Sequence, residues 1–268
     1  MKKVINKIFI YIFMLIIIFI SVIPFVYMVM MSFKSTTNAY DFDFSLEKLT
    51  LMQYQKIFSL ANFPNYVFNS VFVAVVGVIL TVTVCSLAGD AKMDFKGNDK
   101  LFIFLIMTMV VPSEVIIIPL FLIIKNLGWL NTFKALILPL PTAFGVFIMR
   151  QAILDIPDDL INAAKIDGCG RLRIFFKVVL PMVKSSIIAL SIFTFVGAWN
   201  NFLWPMVSCS KQEMKTLPLA LGMMKTLYNT DVGLTMACAV INFLPPFIFY
   251  VFMQSKFKEG MTLSGIKG

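Results

Sequence analysis

The chain has 268 residues, of which 59% are hydrophobic and only 14% are charged. Soluble proteins carry roughly 25% charged residues, so this composition excludes an ordinary soluble enzyme. Lys and Arg outnumber Asp and Glu by 23 to 14, and histidine is absent, which excludes histidine-based catalysis and histidine metal ligands. Because the apolar residues form long uncharged runs, the sequence predicts an all-α, polytopic membrane protein.

Six apolar runs are predicted to cross the membrane, since about 20 helical residues span the hydrocarbon core. The predicted spans cover about 8–31, 67–88, 101–124, 134–153, 185–207 and 232–254. The first is far longer than the roughly 7 to 15 apolar residues of a secretory signal, so we expect it to stay in the membrane. The fourth is short and contains Pro139 and Pro141, which favours a kinked helix. We expect one transmembrane domain over residues 1–268.

The distribution of positive charge predicts the orientation of these spans. With the N-terminus in the cytoplasm, the inner segments hold 15 of the Lys and Arg residues and the outer segments hold 8. An excess of Lys and Arg in short cytoplasmic segments is typical of multi-pass proteins. We therefore expect both termini to be cytoplasmic.

Residues 155–181 form a polar inner loop between the fourth and fifth predicted spans. Asp158 and Asp159 place negative charge in the first turn of a short helix, where the helix dipole favours it. Gly168 is suited to end that helix, and a second, basic helix then leads to Pro181. These residues alone leave two interpretations open. The helix pair lies on the inner leaflet with Arg171, Arg173 and Lys177 facing lipid headgroups, or it docks on a partner protein.

The loop resembles a known sequence pattern. Its Ala163-Ala164, Asp167-Gly168 and Leu180-Pro181 pairs match the Glu-Ala-Ala, Gly and Leu-Pro positions of the loop in ABC importer permease subunits. This resemblance implies a coupling helix that inserts into a cleft of a cytoplasmic ATPase. Asn162 departs from the family, which usually has glutamate there. The implied coupling residues are Asp158, Asp159, Asn162, Ala163, Ala164, Asp167, Gly168, Leu180 and Pro181.

The resemblance extends over essentially the whole chain and is specific to the carbohydrate-uptake group, the maltose-transporter type with a short six-span permease. It implies the type I ABC importer permease fold. The segment Leu87–Lys92 departs from the group, because it is about two residues short and has Asp90 where an aromatic is expected. The motifs that carry the resemblance are Ser32-Phe33-Lys34, Asn69-Ser70, Val111-Pro112, Ile118-Pro119-Leu120, Leu127–Thr132, Phe195–Pro205 and Gly260–Gly268.

The resemblance also implies a set of partners. A permease of this type pairs with a second, homologous permease, two ATPase subunits and an extracellular solute-binding protein, in the plasma membrane of a prokaryote. The chain contains no Gly-x-x-x-x-Gly-Lys-Ser/Thr run to cradle nucleotide phosphates. We therefore expect no enzyme activity and no bound cofactor in this chain, with ATP and Mg on the separate ATPase. We expect a lipid bilayer around the chain, and no nucleic acid partner.

Polar residues within the predicted spans are candidates for the translocation path. Glu114 is the one charged residue deep in a span, and it faces the path, contacts the partner permease or approaches the outer interface. Trp199, Asn200, Asn201 and Trp204 offer the stacking faces and amide groups that a neutral sugar requires. The competing interpretation is an outer aromatic belt with interhelical amide packing, which we favour slightly. Asn242 has the same two interpretations.

Together these features predict a permease subunit that forms, with a second permease, the pathway for a sugar or related solute and couples it to a separate ATPase. The alternative is a secondary transporter driven by an ion gradient. No internal repeat and only one deep carboxylate are found in the sequence, and both observations disfavour that alternative.

Overall fold

The computed structural model describes residues 2–37, 49–90, 98–227 and 231–264, and within these ranges the chain is helical and has no strand. Residues 91–92 and 265–268, which belong to two of the segments compared with the family, lie outside them. The helices are α1 (Lys2–Ser32), α2 (Met52–Phe58), α3 (Phe63–Ala88), α4 (Asn98–Thr108), α5 (Ser113–Asn126), α6 (Phe133–Ile137), α7 (Ala143–Leu154), α8 (Asp158–Ile166), α9 (Arg171–Ile174), α10 (Leu180–Met182), α11 (Lys184–Asn200), α12 (Leu203–Ser208), α13 (Leu217–Leu227) and α14 (Val232–Ser264).

Three of the described helices are long and apolar enough to cross a membrane by themselves. They cover residues 6–32, 63–88 and 232–256, with mean hydropathy of 3.0, 2.7 and 1.9. They correspond to the first, second and sixth predicted spans. None of the most apolar stretch of α1 is buried against the rest of the chain, as expected for a helix whose side chains contact lipid or another subunit.

The third predicted span, over residues 101–124, is formed by the two helices α4 and α5 and not by one continuous helix. The axes of α4 and α5 differ by 103° across the break at residues 109–112. Pro112 is extended there, with φ −58° and ψ 138°, and it precedes the first turn of α5. Proline lacks the N–H that a continuous helix needs and disfavours helical conformation at the residue before it. The apolar run is therefore divided into two helices.

The fourth and fifth predicted spans are also divided. α6 and α7 are separated by a segment that contains both predicted prolines, and α7 has only 12 residues. α11 ends at Asn200 because Asn201 is extended. At its other end α11 meets the helical segment Arg171–Met182 at an angle of 76°. The described residues thus contain three long spans, two bent helix pairs that are each long and apolar enough together to form one span, and one short apolar helix.

One compact unit consists of Met1–Phe63 with Ala220–Pro245. Its α2 is tied to the start of α14 by polar contacts around Asp231. The fully buried Gln53 donates from Nε2 to Asp231 Oδ1 (2.9 Å), and Lys56 Nζ lies 3.0 Å from Asp231 Oδ2. The backbone N–H of Leu234 donates to Asp231 Oδ1 (3.0 Å), so Asp231 also caps α14.

These contacts determine the charge state of Asp231. Partial burial by itself would raise the pKa of this carboxyl group, but the hydrogen bonds from Leu234 N–H, Lys56 and Gln53 lower it below the ordinary aspartate value. A folded-state pKa below the unfolded value contributes stability above the unfolded pKa, and that stability is lost as the pH falls through the lowered pKa.

The second compact unit consists of Pro64–Leu219 with Pro246–Gly268. It contains α4 to α12 and therefore both the inner loop and the helix breaks described above. Its largest described core cluster is formed by side chains of α3, α7, α8, α11 and the segment between α8 and α11. The polar loop is thereby packed on the same core as the membrane helices.

We expect Asp231→Ala to lower the free energy of unfolding by about 1 kcal/mol at pH 7, because α14 loses its cap and Lys56 loses its ion-pair partner. The difference from wild type should stay constant from pH 7 down to the ordinary aspartate pKa of 3.8 and shrink as the pH falls further, to about 2. Thermal unfolding of the purified protein in nanodiscs across this pH range measures both effects. Asp155→Ala, at an exposed aspartate, is the control. A constant difference at every pH would contradict the assignment.

Candidate functional site

The helix α8 has one face on the protein core and the opposite face in solvent. Ile161 and Ala164, three residues apart, are buried, and Ile161 is only 4% exposed. On the opposite face, Asn162 is exposed and Ile166 is 86% exposed. The exposed face of α8 therefore combines polar side chains with the apolar side chain of Ile166.

Both ends of α8 are defined by local sequence. Asp158 and Asp159 lie in its first turn, beside the positive end of the helix dipole. At the other end Gly168 has φ +75°, its N–H donates to Lys165 O (3.0 Å), and Cys169 N–H donates to Ala164 O (3.0 Å). This pair of hydrogen bonds is the Schellman motif, which needs a left-handed residue at the position of Gly168. The predicted end of the helix is confirmed.

The buried face of α8 is packed among membrane helices. Ile161 and Ala164 belong to one hydrophobic cluster with side chains from α3, α7 and α11 and from the segment that follows α8. Because interiors are close-packed and resist compression, a force on α8 is transmitted to these helices. The other buried members of the cluster are Cys85, Val146, Met149, Ile153, Ile156, Ile174, Phe175, Val179, Val183 and Leu190.

The segment Arg171–Met182 connects α8 to α11. Its centre, Phe175–Val179, is a π-helix, and it ends at Val183, whose φ of −94° and ψ of 18° leave the helical region. Leu180 is half-buried and Pro181 is exposed in its last turn. The predicted second helix of the loop is therefore present, and its axis turns by 76° where α11 begins.

A cavity of about 500 Å³ lies in the same compact unit. It is enclosed mainly by α5, α11 and α12 and by the segment between α6 and α7. Glu114 is the one charged residue on its wall, and five polar residues in total face it. The wall is formed by Ser113, Glu114, Ile116, Ile117, Leu120, Leu136, Pro139, Leu140, Thr142, Phe144, Leu190, Phe193, Thr194, Gly197, Ala198, Asn201, Leu203 and Trp204.

Hydrogen bonds hold the polar wall of this cavity in place. Ser113 Oγ donates to Glu114 Oε1 (3.0 Å), and Asn201 Oδ1 accepts from the backbone N–H of Trp204 (3.2 Å). The indole N–H of Trp204 donates to Ala135 O (2.8 Å). A carboxylate, hydroxyl groups and aromatic rings on a mostly apolar wall are the groups that bind the hydroxyls and ring faces of saccharides.

The structure brings together some of the predicted path residues and separates others. Glu114, Asn201 and Trp204 all line the cavity. Trp199 is buried and stacks on Phe195, with ring centroids 6.0 Å apart, so it packs against its own helix neighbour instead. Asn200 is exposed and is absent from the cavity wall. Asn242 lies in α14, in the other compact unit.

Several residues of the cavity wall and of the outer face of α8 were not predicted from the sequence. Ser113, Thr142, Thr194 and Gly197 line the cavity, and Ile166 is the exposed apolar residue of α8. The signal for Ser113 was Pro112, since a residue after a helix break is turned away from the line of the preceding helix. The signal for Thr142 was its position as a helix cap, because it follows two prolines and precedes an apolar run. Nothing in a single sequence distinguishes Thr194 from a lipid-facing threonine.

Residues 82–263 match the family model described as "Binding-protein-dependent transport system inner membrane component". The chain is similar to the arabinooligosaccharides transport system permease protein AraQ of Halalkalibacterium halodurans, with 35% identity over 92% of this chain and 91% of the relative. It is also 30% identical to the lactose transport system permease protein LacG of Rhizobium radiobacter, over 90% of this chain and 89% of the relative.

The fold is similar to that of a solved structure. A chain in the crystal structure of a bacterial ABC transporter involved in the import of the acidic polysaccharide alginate superposes with a TM-score of 0.75. The alignment covers 95% of this chain and 96% of that chain, with 22% identity. The predicted permease fold is therefore confirmed.

Matched substitutions at the two faces of α8 test its amphipathic placement. We expect Ile161→Asn to lower the free energy of unfolding by roughly 3 kcal/mol, because it puts an amide in an apolar core and leaves a void. Ile166→Asn should change it by less than about 0.5 kcal/mol, because that side chain is in solvent. Thermal unfolding of both variants in detergent measures the difference. Equal destabilisation would contradict this orientation of α8.

Proposed function

The chain belongs to the family of binding-protein-dependent transport system inner membrane components, and we propose that it is a sugar-transporting permease subunit of an ATP-driven importer. In this proposal it forms the translocation pathway with a second, homologous permease. Two ATPase subunits bind on the cytoplasmic side, where both termini lie. An extracellular solute-binding protein delivers the substrate. A solved alginate transporter of the same fold is described in complex with an "alginate pentasaccharide-bound periplasmic protein", which supports the last partner.

The observation that carries this proposal is α8, an exposed helix packed on the core of the membrane helices. Its outer face offers Asn162 and Ile166 to a partner, and its inner face is anchored by Ile161 and Ala164. An ATPase that binds the outer face therefore moves the helices behind it. We propose the predicted coupling residues, from Asp158 to Pro181, for this contact. Some of them touch the ATPase and the others hold α8 in position.

ATP hydrolysis is assigned to the partner subunits. The chain has no nucleotide-binding run of the P-loop type, so ATP and Mg bind on the ATPase. Among the residues that the structure describes, no three His, Cys, Asp or Glu side chains are grouped so as to hold a metal ion. The role of this chain is mechanical: ATP binding closes the two ATPases, which displace α8 and tilt the membrane helices from an inward-open to an outward-open arrangement.

The proposed substrate class is a sugar or oligosaccharide. Relatives that cover about nine tenths of the chain are named for the transport of arabinooligosaccharides and lactose, which are neutral saccharides. The cavity wall, with Glu114, Asn201 and Trp204 among aromatic and aliphatic side chains, has the chemistry to bind such a solute. We propose that these three residues lie on the translocation path, whereas Trp199 is a packing residue.

The coupling role of the loop predicts the phenotype of Gly168→Val. A β-branched residue is strained at φ +75° by roughly 1 to 2 kcal/mol, so the end of α8 should shift while the membrane helices remain folded. We expect uptake of labelled oligosaccharide by cells to be lost, although the protein still inserts. ATP hydrolysis by the purified complex should no longer respond to the loaded binding protein.

Gly128→Val is the matched control for this test. Gly128 has φ +70° and, like Gly168, has no atom within 4 Å of the position that a Cβ would take, so the substitution introduces similar strain in a turn outside the loop. This variant should keep the coupling of hydrolysis to the binding protein. Wild-type uptake by Gly168→Val, or the same loss of coupling in both variants, would contradict the proposal. Uptake that persists without ATP and stops with an uncoupler would indicate an ion-driven transporter.

A substitution that fills the cavity tests whether sugar passes through it. Gly197 lies on the cavity wall with no atom within 4 Å of its Cβ position, so the wall has room for an added Cβ, and Gly197→Leu places a larger apolar side chain there. We expect the stability to be unchanged or higher by about 1 kcal/mol, because glycine is a poor helix former. Uptake of longer oligosaccharides should fall at least tenfold, and that of Gly197→Ala should fall less. Unchanged uptake by the leucine variant would exclude this cavity from the path.

A further inference from the structure

The inner loop carries opposite charges in its two halves. Asp155, Asp158, Asp159 and Asp167 lie in or beside α8, whereas residues 168–212 contain no acidic residue. Arg173 and Lys177 in the second half of the loop and Lys184 at the start of α11 are exposed. The change of sign occurs at the turn that ends α8. The two halves are therefore suited to different partners, and only the basic half is complementary to an anionic surface.

The angle at Val183 gives the basic half a definite orientation. The segment Arg171–Met182 meets α11 at 76°. Membrane helices are tilted by about 20° on average from the bilayer normal, so a segment nearly perpendicular to α11 runs close to the membrane plane. α11 begins at Lys184, one residue after the bend. This segment consequently lies where the lipid headgroups meet the hydrocarbon core.

The exposed side chains of the segment match that depth. Leu172 is 65% exposed and Phe176 is 59% exposed, although both are large and apolar. They alternate along the helix with the exposed cations Arg173 and Lys177. The face towards the protein is occupied by Ile174, Phe175 and Val179, which are buried in the core cluster. Apolar side chains beside Lys and Arg on the free face of a helix in the membrane plane are typical of an interfacial helix.

We propose that Arg171–Met182 with Lys184 is a binding surface for anionic phospholipid headgroups of the cytoplasmic leaflet, with Arg173, Lys177 and Lys184 as the phosphate contacts. The inference rests on the proposed function for one point, the cytoplasmic location of the loop. The sequence left open whether the loop docks on a protein or lies on lipid, and in this proposal each half of the loop does one of the two. α8 contacts protein, and the segment after it contacts lipid and keeps the base of α11 at the membrane surface.

The test measures lipid binding by the full-length chain without its partners. The chain is purified in mild detergent, delipidated and titrated with phosphatidylglycerol or phosphatidylcholine, and bound lipid is counted by native mass spectrometry. Each surface cation contributes about fivefold to the affinity for an anionic membrane. We expect Arg173→Gln/Lys177→Gln to weaken phosphatidylglycerol binding by roughly thirtyfold and to leave phosphatidylcholine binding unchanged. Arg173→Lys/Lys177→Arg should retain the wild-type affinity.

The control variant is Lys125→Gln/Lys211→Gln, which removes two exposed cations outside the inner loop. A similar loss in this control would overturn the proposal, because it would show a general charge effect. Unchanged phosphatidylglycerol binding in the loop variant would also overturn it. Displacement of the lipid by millimolar inorganic phosphate would assign the cations to a soluble anion instead. None of these results depends on transport, so the inference can fail while the proposed function holds.

Discussion

The packing of α8 is the interaction on which the proposed mechanism depends. Two buried side chains, Ile161 and Ala164, attach this nine-residue helix to a cluster that includes side chains of α3, α7 and α11. A helix of this length is not stable alone in water, so its conformation comes from this contact and from the glycine turn that ends it. The same contact makes α8 a rigid extension of the membrane helices. A polar element outside the bilayer is thus able to transmit a force into it.

The second constraint is the requirement that irregular backbone in a membrane be shielded from lipid. The regular pattern of α-helical hydrogen bonds is interrupted at residues 109–112 and 138–142 and at Asn201, where shorter-range bonds such as Val111 N–H to Thr108 O partly replace it. Irregular backbone is tolerated at membrane depth where it is buried in protein or lines a cavity. The elements beside these breaks enclose the 500 Å³ cavity, and Ser113, Thr142 and Asn201 lie on its wall. The interruptions in the spans and the polar groups of the cavity wall therefore have a common structural origin.

Much of this arrangement could be predicted from single-residue chemistry. Long charge-free runs located the three continuous spans, and Asp167-Gly168 located the end of α8 because only a residue tolerant of positive φ fits there. Pro112 favours a kink in the third span, but the size of the bend was not predicted, since hydropathy averages over Pro112 and does not register a 103° angle. The separation of Trp199 from Trp204 was not predicted either. Both tryptophans occur in one apolar run, and they are separated because α11 ends at Asn200. Trp199 stacks on Phe195 in the core, whereas Trp204 lies on the cavity wall.

The central claim is that this chain works as one subunit of an importer whose energy comes from a separate ATPase. The most direct measurement is purification of the tagged chain from its native membrane in mild detergent, with quantitative mass spectrometry of the proteins that remain bound. The account predicts a second permease and an ATPase in a 1:1:2 ratio with this chain. A lone or self-associated chain that still transports solute after reconstitution, driven by an ion gradient, would contradict it.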